Sequence, residues 1–142
     1  MPDPLALRGL FAGVDASASA MSGERLRMTV ASENLANANN TRRLADGSPY
    51  ARQRVLFETA LDAQGRANGQ VDASVVASPK YVSHYDPQHP HADAQGMVKT
   101  PDITPILELT DLLTASKAYD ANANAARGLL RMHENALRLG QE

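Results

Sequence analysis

Two runs of residues at seven-residue spacing, one near each end of the chain, restrict the fold more than any other feature. Leu7, Val14, Met21, Met28 and Leu35 recur every seven residues, and Leu10, Ser17, Glu24 and Ala31 sit three further along. Phe11 and Ala18 flank the same line. An ideal helix drifts relative to a seven-residue repeat, so such a line keeps to one face only where the helix bends gently around a partner. The spacing predicts a helix over about 5–35. Pro4 suits a first turn, and Asp3 or Asp15 is available to cap or support the start. The run Asn34, Asn37, Asn39 and Asn40 is expected to close the helix. Asparagine competes for helical hydrogen bonds and tolerates left-handed backbone.

The same period returns from Pro105 to about Leu139. Leu109, Ser116, Ala123, Leu130 and Leu137 recur every seven residues, with Leu112, Tyr119, Ala126 and His133 three further along. Small residues on this seam let a neighbouring helix approach closely. Gly140 fits a helix stop, whereas Gly128 inside the helix costs ~1 kcal/mol relative to alanine. The stretch between, 41–101, reads differently. Tyr50–Phe57 and Val71–Ala77 alternate like strands, and Gly65, Gly69, Pro79, Pro87, Pro90 and Gly96 interrupt. The reading is α+β: long N- and C-terminal helices pairing as a coiled-coil-like bundle, with a small β-rich or extended middle insert. The segments are 1–40, 41–101 and 102–142. The simpler alternative is an ordinary α+β domain in which two amphipathic helices pack together.

Composition narrows the function. The 142 residues suit one compact domain, or two small pieces sharing one set of helices. A formal net charge of −2 gives no field favouring nucleic acid or an anionic membrane. There is no cysteine, so disulfides, thiolate zinc sites and a cysteine nucleophile are excluded. No apolar run is long enough to cross a bilayer, and the N-terminus lacks the pattern of a signal peptide. Of the 43% apolar residues, 24 are alanine, while Leu, Ile, Val and Phe together number 28. That is sparse for a self-sufficient core and points to burial gained from neighbours.

Three constellations invite a chemical reading. His84, His89 and His91, with Asp86 and Asp93 interleaved, resemble a metal-ligand set, but they lie in a Pro-rich stretch with no helix to set their spacing. A polar extended loop is the plainer account, and no metal or cofactor is expected. Arg42, Arg43, Arg52 and Arg54, near Tyr50 and Phe57, have the residue types of a phosphate-binding face. The negative net charge and scarce aromatics favour a solvated strand face, so no nucleic acid partner is expected. For catalysis, Ser17 and Ser22 lie inside a helical segment, and Gly65 and Gly69 lack the rest of a phosphate loop. No nucleophile–base pair is visible, and neither enzyme activity nor a small-molecule substrate is expected.

Four segments carry a family resemblance. Thr29–Thr41, with Asn34, Leu35, Ala36 and Asn37 at its centre, resembles the asparagine-rich signature closing the first helix of flagellar rod and hook proteins. Tyr50–Phe57 resembles the strand that follows in proximal rod proteins, and Tyr85–Val98 is similar to a loop of the FlgC branch. Glu108–Asn122 resembles the family's C-terminal helix. The four occur in order and span nearly the whole chain. Two departures stand out. Lys117 replaces the family's usual arginine, weakening any bidentate contact there. Pro105 interrupts the approach to the last helix.

The resemblance implies a structural subunit of the flagellar proximal rod that transmits torque from the rotor ring to the distal rod and hook. It also implies export through the flagellar type III apparatus without a cleaved signal peptide, and assembly as a periplasmic rod whose inner wall the terminal helices form. The implied neighbours are other copies, the FlgB, FlgF and FlgG types, FliE and the rotor (MS) ring. The helix-packing and assembly residues are taken to be Leu7, Leu10, Phe11, Val14, Met21, Met28, Leu35, Leu109, Leu112, Tyr119, Leu130 and Leu137. Asn34 and Asn37 are assigned to closing the first helix, and Tyr119 and Asn122 to polar contacts in the last. The alternative from another class is a cytosolic adaptor binding partners through its amphipathic ends.

Overall fold

Helical periodicity at the termini and strand alternation between them are both realised in the computed structural model. It describes residues 4–139, with side chains from Phe11 to Arg138. Helix α1 runs Pro4–Asn37, strands β1 to β4 run Arg52–Leu61, Ala67–Ser78, Tyr81–Tyr85 and Met97–Pro101, and helix α2 runs Pro105–Leu139. The class is α+β, as the residue pattern indicates. Asp3 and Gly140, named as cap and stop, lie outside the described residues. Asp15 lies well inside α1 and does not cap it. Pro105 is the first residue of α2 rather than an interruption. Its missing N–H is one the first turn leaves unpaired anyway, and the carbonyl of Thr104 accepts from Leu107 and Glu108.

Contacts gather the chain into two compact units, and each long helix contributes to both. One unit comprises Met1–Leu26, Leu56–Ser74 and Thr114–Glu142; the other comprises Arg27–Val55 and Val75–Leu113. In the first, small residues set the spacing between elements. A methyl group on Gly13 would lie 3.0 Å from Leu129, and one on Gly23 would lie 2.3 Å from the Phe57 ring. Ser19 Oγ accepts from the backbone N–H of Val71 at 3.2 Å, which ties α1 to β2. Strands β1 and β2 form a hairpin closed by the Asp62–Arg66 turn. There Asp62 Oδ1 accepts from the Gln64 and Arg66 backbone.

In the second unit, β3 and β4 pair antiparallel, with Tyr81 opposite Pro101 and Tyr85 opposite Met97. The intervening loop folds on itself: Asp86 N–H donates to the Gly96 carbonyl, and Asp93 N–H donates to that of Met97. Gly96 has φ 76°, which a side chain disfavours, and an added methyl would lie 2.9 Å from Tyr85. The Asn-rich run closes α1 through hydrogen bonds alone, since no described non-glycine residue takes a positive φ. Asn37 Nδ2 donates to the Glu33 carbonyl, Asn40 Nδ2 donates to Asn37 Oδ1, and Asn40 Oδ1 accepts from Arg42 N–H.

Among the described residues, buried apolar side chains are few and small: Val30, Ala31, Ala38, Ala60, Val98 and Ala115. Two glycines separate cleanly in their expected effect. Gly96→Ala is expected to cost about 1–3 kcal/mol through backbone strain and crowding. Gly128 lies in α2 with nothing within 4 Å of an added methyl. Gly128→Ala is therefore expected to stabilise by about 1 kcal/mol. Urea unfolding of the two variants beside the parent checks both signs.

Candidate functional site

The most completely satisfied polar group of the second unit is the side-chain amide of Asn34, in the last turn of α1 and 1% exposed. Its Nδ2 donates to the Gln53 carbonyl at 2.7 Å and to Glu108 Oε2 at 2.9 Å. Its Oδ1 accepts from Gln53 N–H at 2.9 Å and from the Tyr50 hydroxyl at 3.0 Å. An asparagine amide has two donors and two lone pairs, and all four are used. The reciprocal pair with Gln53 imitates a strand neighbour, so α1 holds β1 as a sheet partner would.

Glu108 is the opposite jaw of this clamp. It lies in the first turn of α2, is 2% exposed, and receives Arg52 Nε on Oε1 at 2.6 Å. A carboxylate buried this far costs several kcal/mol unless compensated. Arg52, Asn34 and the positive end of the helix together supply that compensation. Further along the same helix pair Arg27 bonds Asp111. As α1 advances from Arg27 to Asn34, its α2 partners retreat from Asp111 to Glu108, so the helices run antiparallel here. Burial, and then the charges of Glu33 and Glu108, push the Tyr50 phenol above its ordinary 10.0.

The apolar lines of the two helices are only partly covered. Leu7 and Leu10 lie outside the described side chains. Val14, Met21, Met28, Leu112 and Tyr119 are half-buried, whereas Phe11, Leu35, Leu109, Leu130 and Leu137 are exposed, Phe11 to 56%. Among the described side chains, the deeply buried positions of α1 are instead Ser17, Gly23, Val30, Ala31 and Asn34, followed by Ala38 in the turn beyond its end. Of the motif residues, Ala36 is exposed and Asn37 half-buried. Asn122 is half-buried and donates from Nδ2 to the Ala118 carbonyl, a bond within its own helix.

The histidine-rich loop spends its polar atoms on itself and on Thr41, just beyond α1. His91 Nδ1 is 2.9 Å from Thr41 Oγ1, and His89 Nδ1 accepts from His91 N–H. Asp93 accepts from the backbone of Met97 and Gln95. The Met97 bond chiefly holds its carboxyl below the usual range. No group of three metal-binding side chains converges among the described residues. The basic residues are divided in use: Arg52 is committed to Glu108, Arg43 reaches the Gly47 carbonyl, and Arg42 and Arg54 are exposed. No helix of the described residues is long and apolar enough to cross a membrane.

Asn34 is visible in the sequence through its motif, but its partners are not singled out there. Glu108 reads as an ordinary first-turn acid, and Tyr50 and Arg52 as strand residues. The available signal was a carboxylate between leucines, on what proves to be the buried side of α2. The raised phenol sets a pH dependence. A group whose folded pKa exceeds its unfolded value loses stability as pH rises from the unfolded toward the folded value. Stability is therefore expected to hold below pH 10.0 and to fall above it. Tyr50→Phe should reduce that alkaline slope while costing about 1 kcal/mol at neutral pH for the lost hydrogen bond. Denaturant titrations at neutral and alkaline pH measure both.

No protein-family model matches the chain. Individual relatives do. The flagellar basal-body rod protein FlgC of Salmonella typhimurium is 36% identical over 140 residues, covering 96% of this chain and 100% of that one. FlgC of Aquifex aeolicus is 34% identical over 117 residues, with 82% and 86% covered. FlgC of Bacillus subtilis is 33% identical over 147 aligned residues, with 92% and 98% covered. Identity at this level runs from the first helix through the last, so the chain belongs to the FlgC family of flagellar basal-body rod proteins.

Proposed function

We propose that the chain is a structural subunit of the flagellar proximal rod, polymerising in the basal body and passing torque from the rotor ring to the distal rod and hook. The observation that carries this reading is the division of labour within the helices. Polar and small residues hold the chain together, while Phe11, Leu35, Leu109, Leu130 and Leu137 stay exposed. Large apolar side chains left in water gain about 1.5–3 kcal/mol each when fully buried, which favours assembly. A shaft under torque needs many such contacts rather than one reactive centre, and no catalytic role is proposed.

In this reading the segments 1–40 and 102–142 form the inner wall of the rod, and 41–101 faces outward. Leu7, Leu10, Phe11, Val14, Met21, Met28, Leu35, Leu109, Leu112, Tyr119, Leu130 and Leu137 pack helix on helix within and between subunits. Asn37 closes the first helix, while Asn34, expected to share that role, spends its amide on β1 and α2; Tyr119 and Asn122 add polar contacts in the last. The partners are other copies, rod proteins of the FlgB, FlgF and FlgG types, FliE and the rotor (MS) ring. The subunit reaches the periplasm through the flagellar type III apparatus without a cleaved signal peptide. The cytosolic adaptor reading draws no support from the relatives, which are named as rod proteins.

Deleting the gene and imaging isolated basal bodies tests the proposal: the rod beyond the rotor ring should be missing, and the intact chain should restore swimming. Normal rods in the deletion strain would sink it. Leu130→Asp gives a finer test, because Leu130 is 46% exposed and its substitution should cost the isolated chain only about 1–2 kcal/mol. Swimming should nonetheless fall sharply in the complemented strain. An unfolded variant, or unimpaired swimming, would count against an assembly role for this stripe.

A further inference from the structure

In the second unit a cleft of about 310 Å³ opens beside the first turn of α2. Arg52, Arg54 and Lys80 line it, opposed by Asp102 and Glu108. Glu108 is already matched to Arg52 and Asn34. Arg54 and Lys80 are exposed and hold no carboxylate among the described residues. The cleft therefore carries a surplus of positive charge. Its lining is polar except for Leu107, which is 62% exposed, and Ile106, next in sequence, is 64% exposed beside it. Such a site is matched by a carboxylate with an apolar neighbour about one helical turn away, roughly 6 Å along the axis.

The first half of α1 has that pattern. From Gly9 to Gly23 the only charged residue is Asp15, exposed and without an ion pair among the described residues. Phe11, one turn before it, and Ala18, one turn after it, are exposed as well. A lone carboxylate on a helix face with no other charge from Gly9 to Gly23 gains from a cationic partner, and it has none among the described residues of its own chain.

We propose that α1 of a second copy docks on this cleft, with Asp15 between Arg54 and Lys80 and Phe11 against Leu107. The two surfaces differ, so the contact is head-to-tail: each copy uses its cleft for one neighbour and its Asp15 face for the next. Repeated, such a contact builds a ring or a helical polymer rather than a two-fold dimer. The inference rests on the reading of the chain as a rod subunit and adds a residue-level contact to it.

The absence of native cysteine makes thiol cross-linking a direct test. Two differently tagged variants, Asp15→Cys and Lys80→Cys, are expressed beside the wild-type chain, so that rods form whatever the variants do. A short bifunctional thiol reagent is then applied to isolated basal bodies. The expected product is a dimer carrying both tags, reduced roughly tenfold when Asp15→Cys is paired with Glu58→Cys, an exposed hairpin position outside the cleft. Equal yields from both pairs would overturn the contact. So would no mixed-tag product in cells that swim, or Lys80→Cys linking to a different rod protein. Those results would leave the rod reading intact. Intact rods after deletion of the gene would remove that reading and this inference with it.

Discussion

The placement of α1, β1 and α2 in the second unit depends on one buried amide. Asn34 must satisfy four hydrogen-bonding sites away from water, and it does so with partners from β1, α2 and the Tyr50 hydroxyl. A leucine of similar volume would leave the Gln53 backbone and one oxygen of Glu108 unpaired, at about 1–3 kcal/mol for each buried group. An aspartate would point an acceptor at two acceptors and set one carboxylate beside another. Glutamine carries the same amide on a longer stem that α1 and β1 leave no room for. Asparagine satisfies volume, polarity and neutrality together, and its fixed fork sets the register of strand against helix.

Glu108 gives this clamp its direction. A buried carboxylate is weak evidence for stability, since replacing such a pair by apolar residues is often neutral or stabilising. Its effect here is on which arrangement forms. A slip of α2 by one turn would carry Glu108 away from both Arg52 and Asn34 and leave a charge unpaired in a dry site. Registers that an alanine-rich seam would tolerate almost equally are separated by that penalty. Polar specificity of this kind suits a chain whose buried apolar set, among the described residues, consists of alanines and two valines.

The sequence made the elements legible and left the orientation of their faces hidden. Both helices and the strand character of the stretch between them follow from local periodicity and turn chemistry, which act over a few residues. The inward face of α1 does not. The line of large residues through Val14, Met21, Met28 and Leu35 is the natural choice for a core, yet it is half-buried or exposed. The line three residues on supplies Ser17, Ala31 and, one heptad later, Ala38 to the interior. Periodicity locates a stripe but not what lies opposite, and close approach at Gly13 and Gly23 selects small residues for the contact. Glu108 was hidden for a related reason. Its meaning comes from Arg52 and Asn34, which lie 56 and 74 residues away in the chain.

The same inversion links fold to function. If the large apolar residues filled the interior, the isolated subunit would gain stability and the polymer would lose its adhesive surface. With alanine, glycine and a polar clamp inside among the described residues, the subunit specifies its own register at little apolar cost, and on the proposed reading its exposed leucines and Phe11 are left for neighbours. On the proposed reading, assembly would supply further stability by mass action. A subunit secured by hydrogen-bond geometry rather than apolar bulk can be correct before it is strongly stable. Assembly into a shaft requires that order of events, since a mis-registered subunit incorporated early would carry its error into every contact built upon it.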